Sequence, residues 1–266
     1  MGGWIPFLAL PDVAEWAEAS WGVEDWLGLA GQVGAALVGL SFLVLFLRGL
    51  VQRSRYSAGA MFDEIERAAL SEEIAAAERS TEGEVVVVVL ERSDRHPASH
   101  WIAGCVTLLL GSAIAAPWMP WGSPALFFLL QVLFGAVGAA AALVSPGFRR
   151  AFVTEERATE LAREQAFQEF YRHGLHRTAG ETGVLLFVSL FERRVIVLGD
   201  RGVDAKVEAE DWQHVDEAVL AGIRAGSLRE GLSKALEEVA AVLRKHFPVG
   251  DAPQGQVPDH VVVRRE

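Results

Sequence analysis

Asp200 closes a short run of β-branched residues, and Arg201, Asp204, Glu208, Glu210 and Asp211 follow closely. Carboxylates gathered at a strand end are the oxygen ligands that Ca2+ or Mg2+ takes, so Asp200, Asp204 and Glu208 are the candidate metal ligands. Arg201, beside them, is the candidate ligand-binding residue, because a guanidinium holds anionic oxygens with paired N–H donors. The same residues also suit a plain solvated turn and helix start, where acids favour the positive end of the helix dipole, and both readings stand. His96 with His100, and His173 with His176, have ligand-pair spacings. Pro97 breaks the helix that the first pair would need, and basic neighbours favour surface or headgroup contacts for both. No P-loop, G-x-S-x-G, H-E-x-x-H, C-x-x-C or EF-hand loop occurs, so no catalytic residue and no resident cofactor is assigned beyond that Ca2+ or Mg2+. The single Cys105 excludes an intrachain disulfide.

What must position these residues is unusual. Residues 26–47, 101–116 and 125–144 contain no Asp, Glu, Lys, Arg or His. About 20 apolar residues rise about 30 Å as a helix, the hydrocarbon thickness of a bilayer. Three spans are therefore expected, the second running on to residue 119, and the lipid bilayer is the first partner. Gly28, Gly31, Gly34, Gly135, Ala139 and Ala142 suit close helix packing, and Gln32 and Gln131 suit interhelical hydrogen bonds. The absence of an ionisable group inside the spans argues against a transport path.

Residues 1–25 carry five acids and no Lys or Arg, and the 117–124 loop is uncharged. Arg48, Arg53, Arg55, Arg92, Arg95, Arg149, Arg150 and Arg157 lie on the other flanks. Short basic flanks stay cytoplasmic, which puts the N-terminus outside an inner (plasma) membrane and both soluble pieces in the cytosol. Seven of the eight Trp lie in or beside the apolar segments, and residues 1–25 read as an outer interfacial stretch rather than a signal peptide. The excess of 35 acidic over 24 basic residues argues against nucleic-acid binding.

The soluble residues fall into two pieces, 62–95 and 150–247, with 248–266 as a mobile tail. Asp63 and Glu66 have capping-box spacing at the head of a helix over 63–80. Residues 84–91, with five consecutive Val, read as a strand buried on both faces. Helices are expected over 154–173, 212–225 and 228–246, and strands over 184–190 and 195–198, joined as a hairpin. A lone strand leaves its ladder groups unpaired, so the two pieces must form one α/β unit. That unit is a small three-stranded mixed sheet flanked by helices, interrupted by a transmembrane helical hairpin.

Residues 81–88 (TEGEVVVV) resemble the first strand region of the TPM domain. Residues 174–178 (GLHRT), 181–190 (ETGVLLFVSL) and 193–202 (RRVIVLGDRG) resemble its second half. The resemblance covers 62–95 and about 150–247, and is similar to the bacterial membrane subgroup in which two spans interrupt the domain. It implies a compact α/β fold. It also implies either a role in assembly, repair or regulation of a membrane complex, through a membrane-protein partner, or a divalent-metal-dependent phosphatase. The expectation is a membrane-anchored interaction module, with the phosphatase as the alternative.

Overall fold

The computed structural model describes residues 23–61, 63–116, 123–250 and 261–264. The expected interfacial stretch up to residue 22, the run of the second span through 117–119, and most of the tail lie outside the described residues.

Five consecutive valines make β1 (Glu84–Leu90) the centre of the molecule. It runs parallel to β2 (Gly183–Ser189), which pairs antiparallel with β3 (Arg194–Gly199). Every residue of β1 and β2 is buried. Because side chains alternate along a strand, β1 serves two cores. Val85, Val87 and Val89 pack with Leu70 and Ile74 of α3 (Glu64–Glu78), Val215 and Val219 of α9 (Gln213–Ala225), and Leu232 and Val239 of α10 (Leu228–His246). Val86 and Val88 pack with Ala162, Ala166 and Phe170 of α7 (Glu155–Arg172). Each buried Val is worth about 1.5–3 kcal/mol relative to exposure, and its partners come from both sides of the long apolar helical hairpin.

The local signals hold where they were read. Asp63 Oδ1 accepts from the Glu66 amide at 2.7 Å and Glu66 returns a bond to the Asp63 amide at 2.9 Å, the reciprocal capping box. Thr154 caps α7. One element was not expected. β4 (Val261–Arg264), from the tail, pairs parallel with β1 and makes the sheet four-stranded, in the order β3-β2-β1-β4. Without it β1 would be an edge strand with open ladder groups, which explains why a tail strand is retained there.

Three helices are long and apolar enough to cross a membrane: α1 (Val23–Val51), α4 (Pro97–Ala115) and α5 (Pro124–Val144). Leucine, valine and phenylalanine side chains stand exposed along them, a contiguous apolar surface of the kind that suits lipid. α4 and α5 pack through small residues. A methyl group on Gly138 would fall 1.7 Å from Thr107 Oγ1, and Thr107 Oγ1 donates to the Phe134 carbonyl at 3.2 Å. Gln131 Nε2 reaches Ser112 Oγ at 3.4 Å, as expected of an interhelical bond. On α1, Gly28, Gly31 and Gly34 meet nothing within 4 Å among the described residues of this chain. Pro97 begins α4 rather than breaking it, because an N1 proline has no lost intrahelical donor.

The end of α1 is locked to the short α6 (Pro146–Arg150). Ser145 Oγ donates to the Phe46 carbonyl at 3.3 Å, and Phe42 and Phe46 meet Phe148 edge-on. The helices and the sheet are thus joined through packed side chains as well as through the chain.

Candidate functional site

The sheet has two ends with opposite chemistry. At one end β1 and β2 finish and β3 begins, and the chain enters α4 there. The turn Leu190–Arg193 carries Glu192, which is fully buried. Its Oε1 lies 2.6 Å from His96 Nε2, its Oε2 accepts from the Ser93 amide at 3.0 Å, and Ser189 Oγ donates to Oε2 at very short range. Burial pushes the Glu192 carboxyl up, but the bonds from His96, Ser189 and Ser93 outweigh it and hold the group below the usual carboxylate range. Glu192 therefore ties the β2–β3 turn to the residue at the N-cap position of α4. Phe191 packs against His96 and lies 4.8 Å beneath the Arg149 guanidinium. Burial draws Arg149 below its ordinary value, Arg92 adds to this, and Glu192 opposes it.

Arginines crowd this end. Arg193 adopts φ 55°, a left-handed conformation that costs a non-glycine residue about 1–2 kcal/mol, and its Nη2 donates to Tyr56 Oη at 2.7 Å. Arg194 is held by Glu155 at 2.5 Å and by Thr159 Oγ1 at 2.7 Å, and Glu155 also pairs with Arg150 at 2.7 Å. A cavity of about 450 Å3 lies between the end of α1, this turn and the end of α9, with Arg48, Arg193, Arg194 and Arg224 on its wall. A second cavity of about 400 Å3 shares Tyr56 and reaches Leu143 and Val144 at the end of α5. Its Glu91 accepts from Ser57 Oγ at 3.0 Å and from the Ala58 amide at 3.1 Å.

The sequence-derived candidates sit at the other end of the sheet, beside the start of β2. Asp200 caps the four-residue α8 (Arg201–Asp204), with Oδ1 accepting from the Arg201 amide at 2.9 Å. Its Oδ2 is buried and has no hydrogen-bond partner among the described residues. Burial, then the Asp200 charge, raises the Asp204 carboxyl above its ordinary value, so these two acids share one environment. Glu208 is not brought to them. It is exposed, and its amide bonds Asp211 Oδ2 at 3.2 Å. Among the described residues no three His, Cys, Asp or Glu side chains form a group that could hold a metal ion. Arg201 is exposed at the head of α8.

The histidine pairs separate. His96 is buried on Glu192, while His100 turns its Nδ1 to the Pro97 carbonyl at 3.3 Å. His173 lies 3.3 Å from the buried Glu169, and His176 packs at a tilt against Tyr171, ring centroids 4.8 Å apart. Glu169 also meets Arg172 at 3.1 Å and, at very short range, Arg264 of β4. Sequence reading missed Glu192, Arg193 and Arg224. Only Arg48 carried a signal, as a topology marker at the end of a span.

The family model described as TPM domain matches residues 145–242, which take in most of the second piece. No curated protein matches the chain. Among solved structures, the NMR structure of the BA42 protein from the psychrophilic bacterium Bizionia argentinensis is similar at 16% identity, covering 76% of this chain and 94% of that chain, with a TM-score of 0.47.

Proposed function

We propose that the chain is an integral membrane protein whose TPM-like unit is a non-catalytic interaction module, held at the cytoplasmic face of the inner membrane with its N-terminus outside. In this role it supports assembly, repair or regulation of a membrane complex. One observation carries the reading. β1, the centre of the sheet, runs into α4 and α5, while its partners β2 and β4 come from beyond them. A unit built that way cannot leave the membrane surface without losing its core. Glu192, His96 and Phe191 then fix which end of the sheet faces the membrane. The serine hydroxyls beside His96 are bonded to Glu192 and to each other, an arrangement that holds structure rather than activating a nucleophile.

Protein extracted from native membranes in mild detergent tests this. It is expected to migrate well above its own mass in native gels, and to do so equally as Asp200→Asn. Migration as a free monomer contradicts the reading.

One observation favours a second reading, a phosphatase dependent on Ca2+ or Mg2+. Asp200 Oδ2 is buried without a hydrogen bond among the described residues, and the charge of Asp200 acts on a second carboxylate, Asp204. A cation there would relieve both the repulsion and the orphaned oxygen. Phosphate release with Mg2+, Mn2+ or Ca2+ that vanishes in Asp200→Asn would decide for it. Turnover at background decides against it.

A further inference from the structure

We propose that the cavity walled by Arg48, Arg193, Arg194 and Arg224 is a phosphate-binding site at the membrane-facing end of the sheet. Four guanidinium groups border it, and no carboxylate is among its described lining residues. Like charges brought together repel unless an opposite charge meets them. Here the protein supplies little. Arg194 is met by Glu155, which it shares with Arg150. Arg193 bonds only the neutral Tyr56 hydroxyl, outside its own backbone neighbourhood. Arg48 and Arg224 have no ion-pair partner among the described residues. An anion with several oxygens is the complement, and a phosphate fits the planar N–H forks that arginine presents.

Three features make this more than a basic surface. The arginines come from three separate elements: the end of α1, the β2–β3 turn and the end of α9. Helix-dipole stabilisation explains Arg48 or Arg224 alone, each in a last helical turn, but not their meeting Arg193 and Arg194 around one cavity. Arg193 is held in the left-handed region, and such strain gathers where a side chain must be aimed. Leu190, Leu220 and Ile223 complete the wall and give the cavity an apolar side. Arg48 also closes an apolar helix long enough to span, which sets the cavity at headgroup depth.

The shared chemistry is a phosphate mono- or diester, from an anionic lipid headgroup or from solution. The site rests on the membrane-anchored reading only for which source applies. The test uses the full chain in two settings. In the first, nanodiscs of phosphatidylcholine alone are compared with nanodiscs that also contain phosphatidylglycerol, and retained lipid is read by native mass spectrometry. In the second, neutral detergent micelles receive inorganic phosphate, and the thermal midpoint is followed.

Retention of phosphatidylglycerol identifies a lipid source, and a midpoint raised by inorganic phosphate identifies a soluble one. In either case Arg193→Gln/Arg224→Gln is expected to weaken binding at least about tenfold, the loss of two charge-assisted donors. Arg157→Gln/Arg163→Gln, which removes the same charge from the exposed face of α7, is expected to leave binding unchanged. Arg193→Lys/Arg224→Lys keeps the charge and serves if the glutamine pair does not fold; it is expected to bind more weakly than the wild type. No binding in either setting, or equal losses in the cavity and α7 variants, overturns the site. Such a failure leaves the membrane-anchored reading untouched, since topology labelling measures that separately.

Discussion

His96 Nε2 and Glu192 Oε1 lie 2.6 Å apart, although the α4–α5 hairpin separates the two residues in sequence. His96 sits at the N-cap position of α4 and Glu192 in the β2–β3 turn, so this pair couples the orientation of a long apolar helix to the sheet. Removing one partner of a buried pair leaves the other uncompensated. Glu192→Ala is expected to lower stability by about 3 kcal/mol, measured by chemical denaturation in detergent. A pH dependence goes with it. A carboxylate held below its ordinary 4.5 in the folded state stabilises the fold above that value and loses its contribution as pH falls through the lower folded value. Glu192→Gln should flatten that acid limb below about pH 4.5.

Arg264 and Glu169 fasten β4. Glu169 is fully buried and stays below its ordinary value because His173, Arg264 and Arg172 outweigh the upward push of burial. Arg264→Ala should cost about 2 kcal/mol, the scale of a hydrogen bond to a charged group. Deleting residues 261–266 should also bare the edge of β1, and light scattering on warming should report earlier aggregation.

Asp216 works in the opposite direction. Burial raises its carboxyl from 3.8 to about 6. A raised carboxyl means that the folded state binds its proton more tightly, so this residue's effect on stability is most favourable at low pH and declines as pH rises between about 4 and 6. Asp216→Asn should raise the urea midpoint at pH 7 while leaving it nearly unchanged at pH 4. An equal shift at both values would show that Asp216 is freely solvated.

Gly138 tests the α4–α5 hairpin. Its missing side chain leaves room for Thr107, so Gly138→Leu should force α4 and α5 apart, at about 1–3 kcal/mol for overpacking. Gly31→Leu, which meets nothing, should be neutral in the same thermal assay.

The parts of the fold that were legible in the sequence were those whose cause is local. Five consecutive valines could only be a doubly buried strand, and Asp63 with Glu66 announced their helix by a three-residue spacing. Three uncharged stretches announced their helices by length. β4 escaped because Val261, Val262 and Val263 form too short a run to signal a strand, following a Pro- and Gly-containing stretch. What holds them is the open edge of β1 and the buried Glu169, both remote in sequence. The arginine cavity was hidden for the same reason, since Arg48, Arg193 and Arg224 meet only through the fold. Asp200 and Asp204 were legible as neighbours because one helical turn joins them. Glu208 was grouped with them by spacing, and the fold leaves it apart, in solvent.

The central claim is one domain split by a hairpin that crosses the bilayer. Ser123, between α4 and α5, and Glu237, on α10, are both exposed and give its two sides. Each is replaced by cysteine in a Cys105→Ala background and treated with a membrane-impermeant maleimide in intact cells, before and after permeabilisation. Ser123→Cys is expected to react in intact cells, and Glu237→Cys only after permeabilisation. Reaction of both positions from the same side would contradict a spanning hairpin and, with it, the split domain held at the membrane.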